Sequence, residues 1–468
     1  MSKVIGVKIS DGSDVGFSDV NDDEIKLYLQ LLSPYYSLTA QACAVEYFRR
    51  LLIQDHVPPL SIADTLIKGL IRCLRVNFAN IQRDAAWALT NCACSPHEIC
   101  YKIIQYLINL LIDFVCKGGL EALVECAEMT DGETRDQVFW TFGNIALDCP
   151  ICQGKVRESA ALPLMIGVLI SPTFAHSKWK RNLIWAMSQI FRGGIQTLHL
   201  MFVQSALIGL RSLLYLDDAK LKVDAAWAIA YIADDRVGGG QIDAVLATPR
   251  LLERLIDLLD ESDTMRAALR ALGNLVAGGD NQTQTVLNAG LLPRLMKLFR
   301  LDVPVINKRE MTWILSNIAA GSHRQIDLLF ETNDIVETLI DAFDCDDYRI
   351  RKEIGWTVTN ALTGASLNRS RWLCGSNVLS LVPQLLNLHS ERDLIDRTLY
   401  AIELLIAKRT NYIFIFENYQ IIQTIRQIVQ NPENEFDVFI KARASRILNK
   451  ESDYKAHQIP ARTYILVR

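Results

Sequence analysis

Seven pairs of side chains recur along this sequence, each a large planar group followed four residues later by an amide or a phenol. They are Trp87/Asn91, Trp140/Asn144, Trp185/Gln189, Trp227/Tyr231, Arg270/Asn274, Trp313/Asn317 and Trp356/Asn360. An i, i+4 spacing puts both members on one helical face. An Asn amide offers a donor and an acceptor together, so it can hold main-chain N–H and C=O groups without reading side chains. Parallel Trp rings make slots for straight alkyl stems, and their faces attract cations at about 0.5–2 kcal/mol each. Carboxylates stand nearby. Asp148 is four residues after Asn144, Asp234 three after Tyr231 and Asp280 six after Asn274, while Glu310 and Glu353 each precede a Trp by three. Asp148 and Asp234 fall near helix C-termini, whose partial negative charge repels an anion. A carboxylate there costs stability unless a cation arrives. A lone Trp at helical spacing is more often core, but packing gives no reason for Asn four residues after nearly every Trp. The chemistry is that of a groove for extended segments rich in lysine and arginine.

From Trp185 the first members stand at 185, 227, 270, 313 and 356, in steps of 42, 43, 43 and 43. A fixed period in the low forties marks armadillo or HEAT repeats. Pro163, Pro249, Pro293 and Pro383 are expected at early helical positions, where the missing N–H is harmless. Gly278, Gly321 and Gly364 are expected as left-handed helix closers. Two places break the rhythm. The step from Trp87 to Trp140 is 53, about ten too long, which predicts a lengthened helix or extra loop near residues 97–119. After Trp356 the pair vanishes, with Leu399-Tyr400 where the next Trp would fall. Terminal repeats of a solenoid are expected to be atypical. The expectation is an all-α, right-handed superhelical solenoid of about ten armadillo repeats over residues 23–450. An acidic flexible tail (1–22) precedes it and a C-terminal tail (451–468) follows. Neighbouring helices pack about 8–10 Å apart and a strand advances about 3.3 Å per residue, so each repeat would meet about three peptide residues.

The 468 residues carry 49 Lys and Arg against 53 Asp and Glu. A net charge of −4 has the wrong sign for a nucleic-acid binder working by phosphate neutralisation, but suits basic partners. Eleven scattered cysteines read as buried thiols of a reduced, intracellular protein. No secretory signal opens the sequence, and the longest apolar run, 103–115, is too short and too polar for a membrane span. The Cys149–Cys152 CxxC lacks a second pair, and Cys92, Cys94, His97 and Cys100 match no zinc-module spacing. No metal, cofactor or catalytic residue is expected, since neither a phosphate-cradling loop nor a nucleophile elbow occurs. Lys178 to Arg181 read as a solvated helix start.

The ladder, with QACAVEYFRRLL in the first repeat, LRALGNLVAGGDNQTQTVLNAG (Leu269 to Gly290) and REMTWILSNIAAG (Arg309 to Gly321), resembles importin-α, the adaptor of nuclear import. The resemblance covers about residues 24–450. It implies ten armadillo repeats, a protein shuttling between cytoplasm and nucleus, and a groove that binds basic nuclear localisation signals at two places. The major site would use Trp87, Asn91, Gln137, Trp140, Asn144, Asp148, Trp185, Gln189, Trp227 and Tyr231, with Asp148 pairing the key lysine of the signal. The minor site would use Arg270, Asn274, Asp280, Thr283, Glu310, Trp313, Asn317, Glu353, Trp356 and Asn360. Gln189 stands where the family has Asn, and its extra methylene should loosen main-chain pairing there. The turn 92–96 also departs from the family's Gly/Thr-bearing one, so the balance between sites is expected to shift toward the minor site.

Family members begin with a basic arm that binds importin-β and folds back into the groove. Here the first forty residues hold only Lys3, Lys8 and Lys26 as basic residues. If the chain is complete, the groove is expected to be open by default and importin-β is not expected to engage through that arm. NEFDVFIKARASRILNK (Asn434 to Lys450) resembles the family's last repeat, where the export receptor docks. The competing reading is a dedicated chaperone or escort of one basic client, such as a histone or a ribosomal protein. A β-catenin-like scaffold would need groove lysines, which this ladder lacks.

Overall fold

In a computed structural model the chain is described over residues 21–52, 60–93, 119–148, 150–172, 174, 179–194, 198–235, 237–345, 347–431 and 437–458. These residues form α-helices and short 3-10 turns, with no strand among them. The expected lengthened segment between Trp87 and Trp140 falls largely at 94–118, outside the described residues. So do Cys94, His97, Cys100, Cys149 and Lys178, and most of both expected tails. The last described helix, Val438–Gln458, runs across residue 450.

The protein divides into two compact units, Met1–Ile232 with Arg236–Ala244, and Val245–Arg468 with Ala233–Asp235. In each, one or two helices lead into a long one that ends the repeat, and these last long helices pack in sequence. The first unit stacks Leu38–Leu51, Ala79–Ala93, Gly132–Asp148, Arg181–Phe191 and Ala219–Ile232 in that order. The second stacks Met265–Val276, Val305–Ala319, Tyr348–Gly364, Arg392–Lys408 and Val438–Gln458. Five long helices in each unit, at the spacing of the sequence period, make an armadillo-repeat solenoid.

The inward faces are Ala, Leu, Ile and Val, nearly all fully buried. Close stacking needs small residues at defined points. A Cβ on Gly143 would lie 2.5 Å from Cζ3 of Trp185, and one on Gly273 would collide with the same ring edge of Trp313. Each Trp therefore seats on the glycine that precedes the Asn of the repeat before it.

Helix starts repeat as well. Gln282 Oε1 accepts from Gly279 N at 2.8 Å and Gln325 Oε1 from Ser322 N at 2.8 Å, so one capping device recurs one repeat apart. Gly278, Gly321 and Gly364 are not left-handed, contrary to expectation. Gly364 ends its helix with a carbonyl engaged by His323 Nδ1, and a Cβ there would crowd Ile326. Close approach, not handedness, calls for glycine here. The left-handed position lies elsewhere in the second unit. Arg250, Gly290, Asp334 and Gln420 adopt it, each immediately before a second helix of a repeat. Pro163, Pro293 and Pro383 sit in first turns, whereas Pro249 stands two residues ahead of its helix.

Candidate functional site

The first unit carries the whole expected major site. Trp87 and Asn91 lie on Ala79–Ala93; Gln137, Trp140, Asn144 and Asp148 on Gly132–Asp148; Trp185 and Gln189 on Arg181–Phe191; Trp227 and Tyr231 on Ala219–Ile232. The helices are consecutive neighbours, so the pairs stand side by side at one phase. All four Trp rings are half-buried: held by the stack, yet open on one side. Trp227 and Tyr231 stack at 5.6 Å between centroids. Asp148 is exposed at the end of its helix. Asn91 Nδ2 and Gln137 Oε1, a donor and an acceptor on adjacent helices, have no hydrogen-bond partner among the described residues. Gln189 turns its amide to its own helix, donating to Ser188 Oγ at 3.1 Å.

The second unit carries the expected minor site. Its two tryptophans, Trp313 and Trp356, are half-buried. Asn317 Nδ2 donates to Gly273 O at 3.4 Å, and Asn360 Nδ2 to Ser316 O at 3.3 Å. Both bonds span the same sequence separation, 44 residues, and leave each amide its acceptor oxygen. Asp280 is exposed at the start of a short helix, and its carbonyl accepts from Gln325 Nε2 at 2.7 Å. Thr283 is buried, its hydroxyl donating to Val276 O at 3.0 Å.

The acids flanking the Trp rings form a more regular row than Glu310 and Glu353 alone suggest. Asp84 and Asp224 precede Trp87 and Trp227 by three residues, the phase of Glu310 and Glu353. The signal stands in the repeated DAAW, whose Asp precedes the ring by about one helical turn. Burial pushes the Asp224 carboxyl up to about 6, with Asp218 repulsion adding to it. Burial also raises the pKa of Glu353, partly offset by Ser316 Oγ donating to Glu353 Oε2 at 2.7 Å. A carboxylate held this way gains from an arriving cation.

Two members of the row already have one, and a third carboxylate near it does too. Arg49 lies 4.7 Å from the Trp87 ring centre and pairs with Asp84 at 3.5 Å. Arg270 lies 5.1 Å from the Trp313 ring centre and pairs with buried Glu310 at 2.6 Å. Where the ladder was expected to lapse, Tyr400 takes the ring position. Arg443 stands 5.3 Å from its centre and pairs with Asp396 at 2.8 Å. Twice a guanidinium from the chain meets a ring face and the carboxylate three residues before that ring; at Tyr400 the acid, Asp396, stands four residues before, and Arg443 also reaches Glu403 at 3.3 Å.

Among the described residues no group of three His, Cys, Asp or Glu could hold a metal ion, and no helix is long and apolar enough to cross a membrane. The armadillo/beta-catenin-like repeat family matches residues 64–94. The chain is similar to importin subunit alpha-1a of Oryza sativa subsp. japonica, 30% identical over 293 residues, which is 60% of this chain and 52% of that one. Importin subunit alpha-5 of Arabidopsis thaliana is 30% identical over 348 residues, 72% of this chain and 63% of that one. The chain thus spans about half the length of the first of these relatives. In fold it resembles an engineered protein of known crystal structure, with a TM-score of 0.73 at 20% identity, covering 92% of this chain and 99% of the other. The chain is thus an importin-α-like armadillo-repeat protein, 30% identical to such subunits over much of its length.

Proposed function

We propose that this protein is a non-enzymatic nuclear import adaptor that binds lysine- and arginine-rich localisation signals as extended peptides along its Trp/Asn ladder. One observation carries the reading: the ladder's repeating element, a Trp face beside a carboxylate, holds a guanidinium of the chain itself at Trp87 and again at Trp313. A tile that takes an arginine from within is built to take one from a partner. The amide row supplies main-chain contacts that do not depend on sequence. The major site is the set from Trp87 to Tyr231 in the first unit, and the minor site the set from Arg270 to Asn360 in the second. Shuttling between cytoplasm and nucleus, and docking of an export receptor at the helix Val438–Gln458, belong to the same reading. A dedicated escort of one basic client would use the same chemistry, so breadth of ligand choice separates the two.

The test is binding of a labelled KKKRK-type peptide at two salt concentrations to the chain and to Asp148→Lys and Glu353→Arg. Salt-sensitive binding lost in Asp148→Lys supports the adaptor reading and locates the major site; loss only in Glu353→Arg moves the working site to the second unit. A folded protein that binds no such peptide ends the general-adaptor reading. Binding of one basic client while unrelated basic peptides fail would favour the escort.

A further inference from the structure

One buried acid in the first unit lies outside the ladder row. Asp136, one turn before Trp140, is only 7% exposed. Its Oδ2 accepts from Asn182 Nδ2 at 2.7 Å. Its Oδ1 is sealed from water and has no hydrogen-bond partner among the described residues. Buried polar atoms in native proteins are nearly always paired, so an orphaned carboxylate oxygen asks for an explanation. Asp136 lines a cleft of about 680 Å³, whose walls include Asp131, Arg135, Phe139, Phe174 and Trp179. That size falls within the range of small-ligand sites, roughly 300–1,000 Å³.

We propose that this cleft is a binding site for an organic ammonium, whose N–H donates to Asp136 Oδ1 while its alkyl stem lies against Phe139, Phe174 and Trp179. The charge is set by the surroundings. Burial holds the Asp136 acid up to about 6, and repulsion from Glu133 adds to it. Among the described wall residues the one basic side chain, Arg135, commits its Nε to Ala127 O at 2.8 Å.

The shape of the cation follows from the free oxygen. A guanidinium gains its advantage by a two-point fork on both carboxylate oxygens, and Asn182 already occupies one of them. An ammonium, a point donor, needs only the other. Aromatic walls serve its stem and its charge alike. Asp131 and Trp179 are exposed, so the ligand meets them first; because water does not touch Oδ1 here, binding requires the wall side chains to shift by enough to admit the ammonium. A lysine side chain and a free alkylamine share this chemistry. The inference does not depend on the ladder reading.

The test titrates n-butylammonium chloride against n-butanol, following the Trp179 indole N–H resonance, which is identified by its loss in Trp179→Phe. A saturable shift with the ammonium and none with the alcohol is expected, and Asp136→Asn should weaken binding at least tenfold. Trp179→Ala, at an exposed position, serves as a second variant and should weaken binding at least threefold by calorimetry. Competition by N-acetyl-lysinamide would assign the site to a protein side chain, and its failure to compete would assign it to a free amine. An equal response to n-butanol, unchanged affinity in a folded Asp136→Asn, or no saturable shift would overturn the proposal. The ladder peptide is titrated separately, so either result can fail alone.

Discussion

Arg49 lies across the face of Trp87, 4.7 Å from its centre, with Asp84 beside it. The first ring of the ladder thus begins with a cation supplied by the preceding repeat. Removing that guanidinium exposes the ring and leaves Asp84, which is buried, with Arg83 as its remaining ion-pair partner among the described residues. Arg49→Ala is expected to tighten binding of a basic peptide two- to fivefold, about the worth of one cation–π contact. Fluorescence anisotropy would read the change; weaker binding would mean that Arg49 supports the site instead of competing for it.

The pair Arg270 and Glu310 makes the opposite case. Glu310 is 5% exposed, so truncating its partner strands a buried charge. Arg270→Ala should destabilise the second unit by about 1–3 kcal/mol, discounted from the fully buried case because the arginine is partly exposed. Adding Glu310→Gln should recover most of that loss. Chemical denaturation of the two variants decides: equal stabilities would show the pair to be inert.

Gly143→Ala tests the seat of Trp185. Alanine in a helix interior normally gains about 1 kcal/mol over glycine. Here the new Cβ would stand 2.5 Å from Trp185 Cζ3, and overpacking should turn the gain into a loss of about 1–3 kcal/mol. A stabilised variant would mean that the ring moves freely.

Asp224 gives the ladder a pH dependence. Its folded-state pKa is raised to about 6 from an ordinary 3.8. Between about pH 4 and 6 the folded state therefore keeps a proton that the unfolded chain has lost. Stability falls as pH rises through that window, and above it the whole cost remains, at most about 3 kcal/mol. Asp224→Asn should flatten the slope of melting temperature between pH 4 and 7. A bound cation favours the charged form, so basic peptides should bind more tightly at pH 7 than at pH 5, and less so in the variant. An unchanged melting profile in Asp224→Asn would refute this.

The repeats were legible because they state one pattern many times: Trp, four residues, Asn, at a period near 43. The period requires only that each helix meet its neighbour at the same phase. What the sequence hid depends on contacts between repeats. Arg49 looks like an ordinary surface cation until the neighbouring ring is placed under it, and Arg270, legible as a ladder member, gives no sign in sequence of its place over the Trp313 ring. Tyr400 looked like a lapse in the ladder because its guanidinium partner, Arg443, is 43 residues further on. Gly278, Gly321 and Gly364 were misread for a related reason. Glycine at a helix end suggests a left-handed closer, but at Gly364 the limiting fact is a side chain from another repeat, Ile326. Asp136 gave no signal at all, since its environment comes from residues 30 to 50 positions away.

The bonds from Asn317 to Gly273 O and from Asn360 to Ser316 O give the second unit a polarity. Each of these two amides leans on a carbonyl of the repeat before it. Those carbonyls also accept their own helical bonds, from Ala277 and Ala320, so they stay satisfied when the later repeat is gone. Trimming the repeat of Asn360 from the C-terminal side therefore leaves Asn317 held, whereas removing the repeat of Gly273 from the N-terminal side releases it. An array recut for a shorter peptide should be shortened from its C-terminal end.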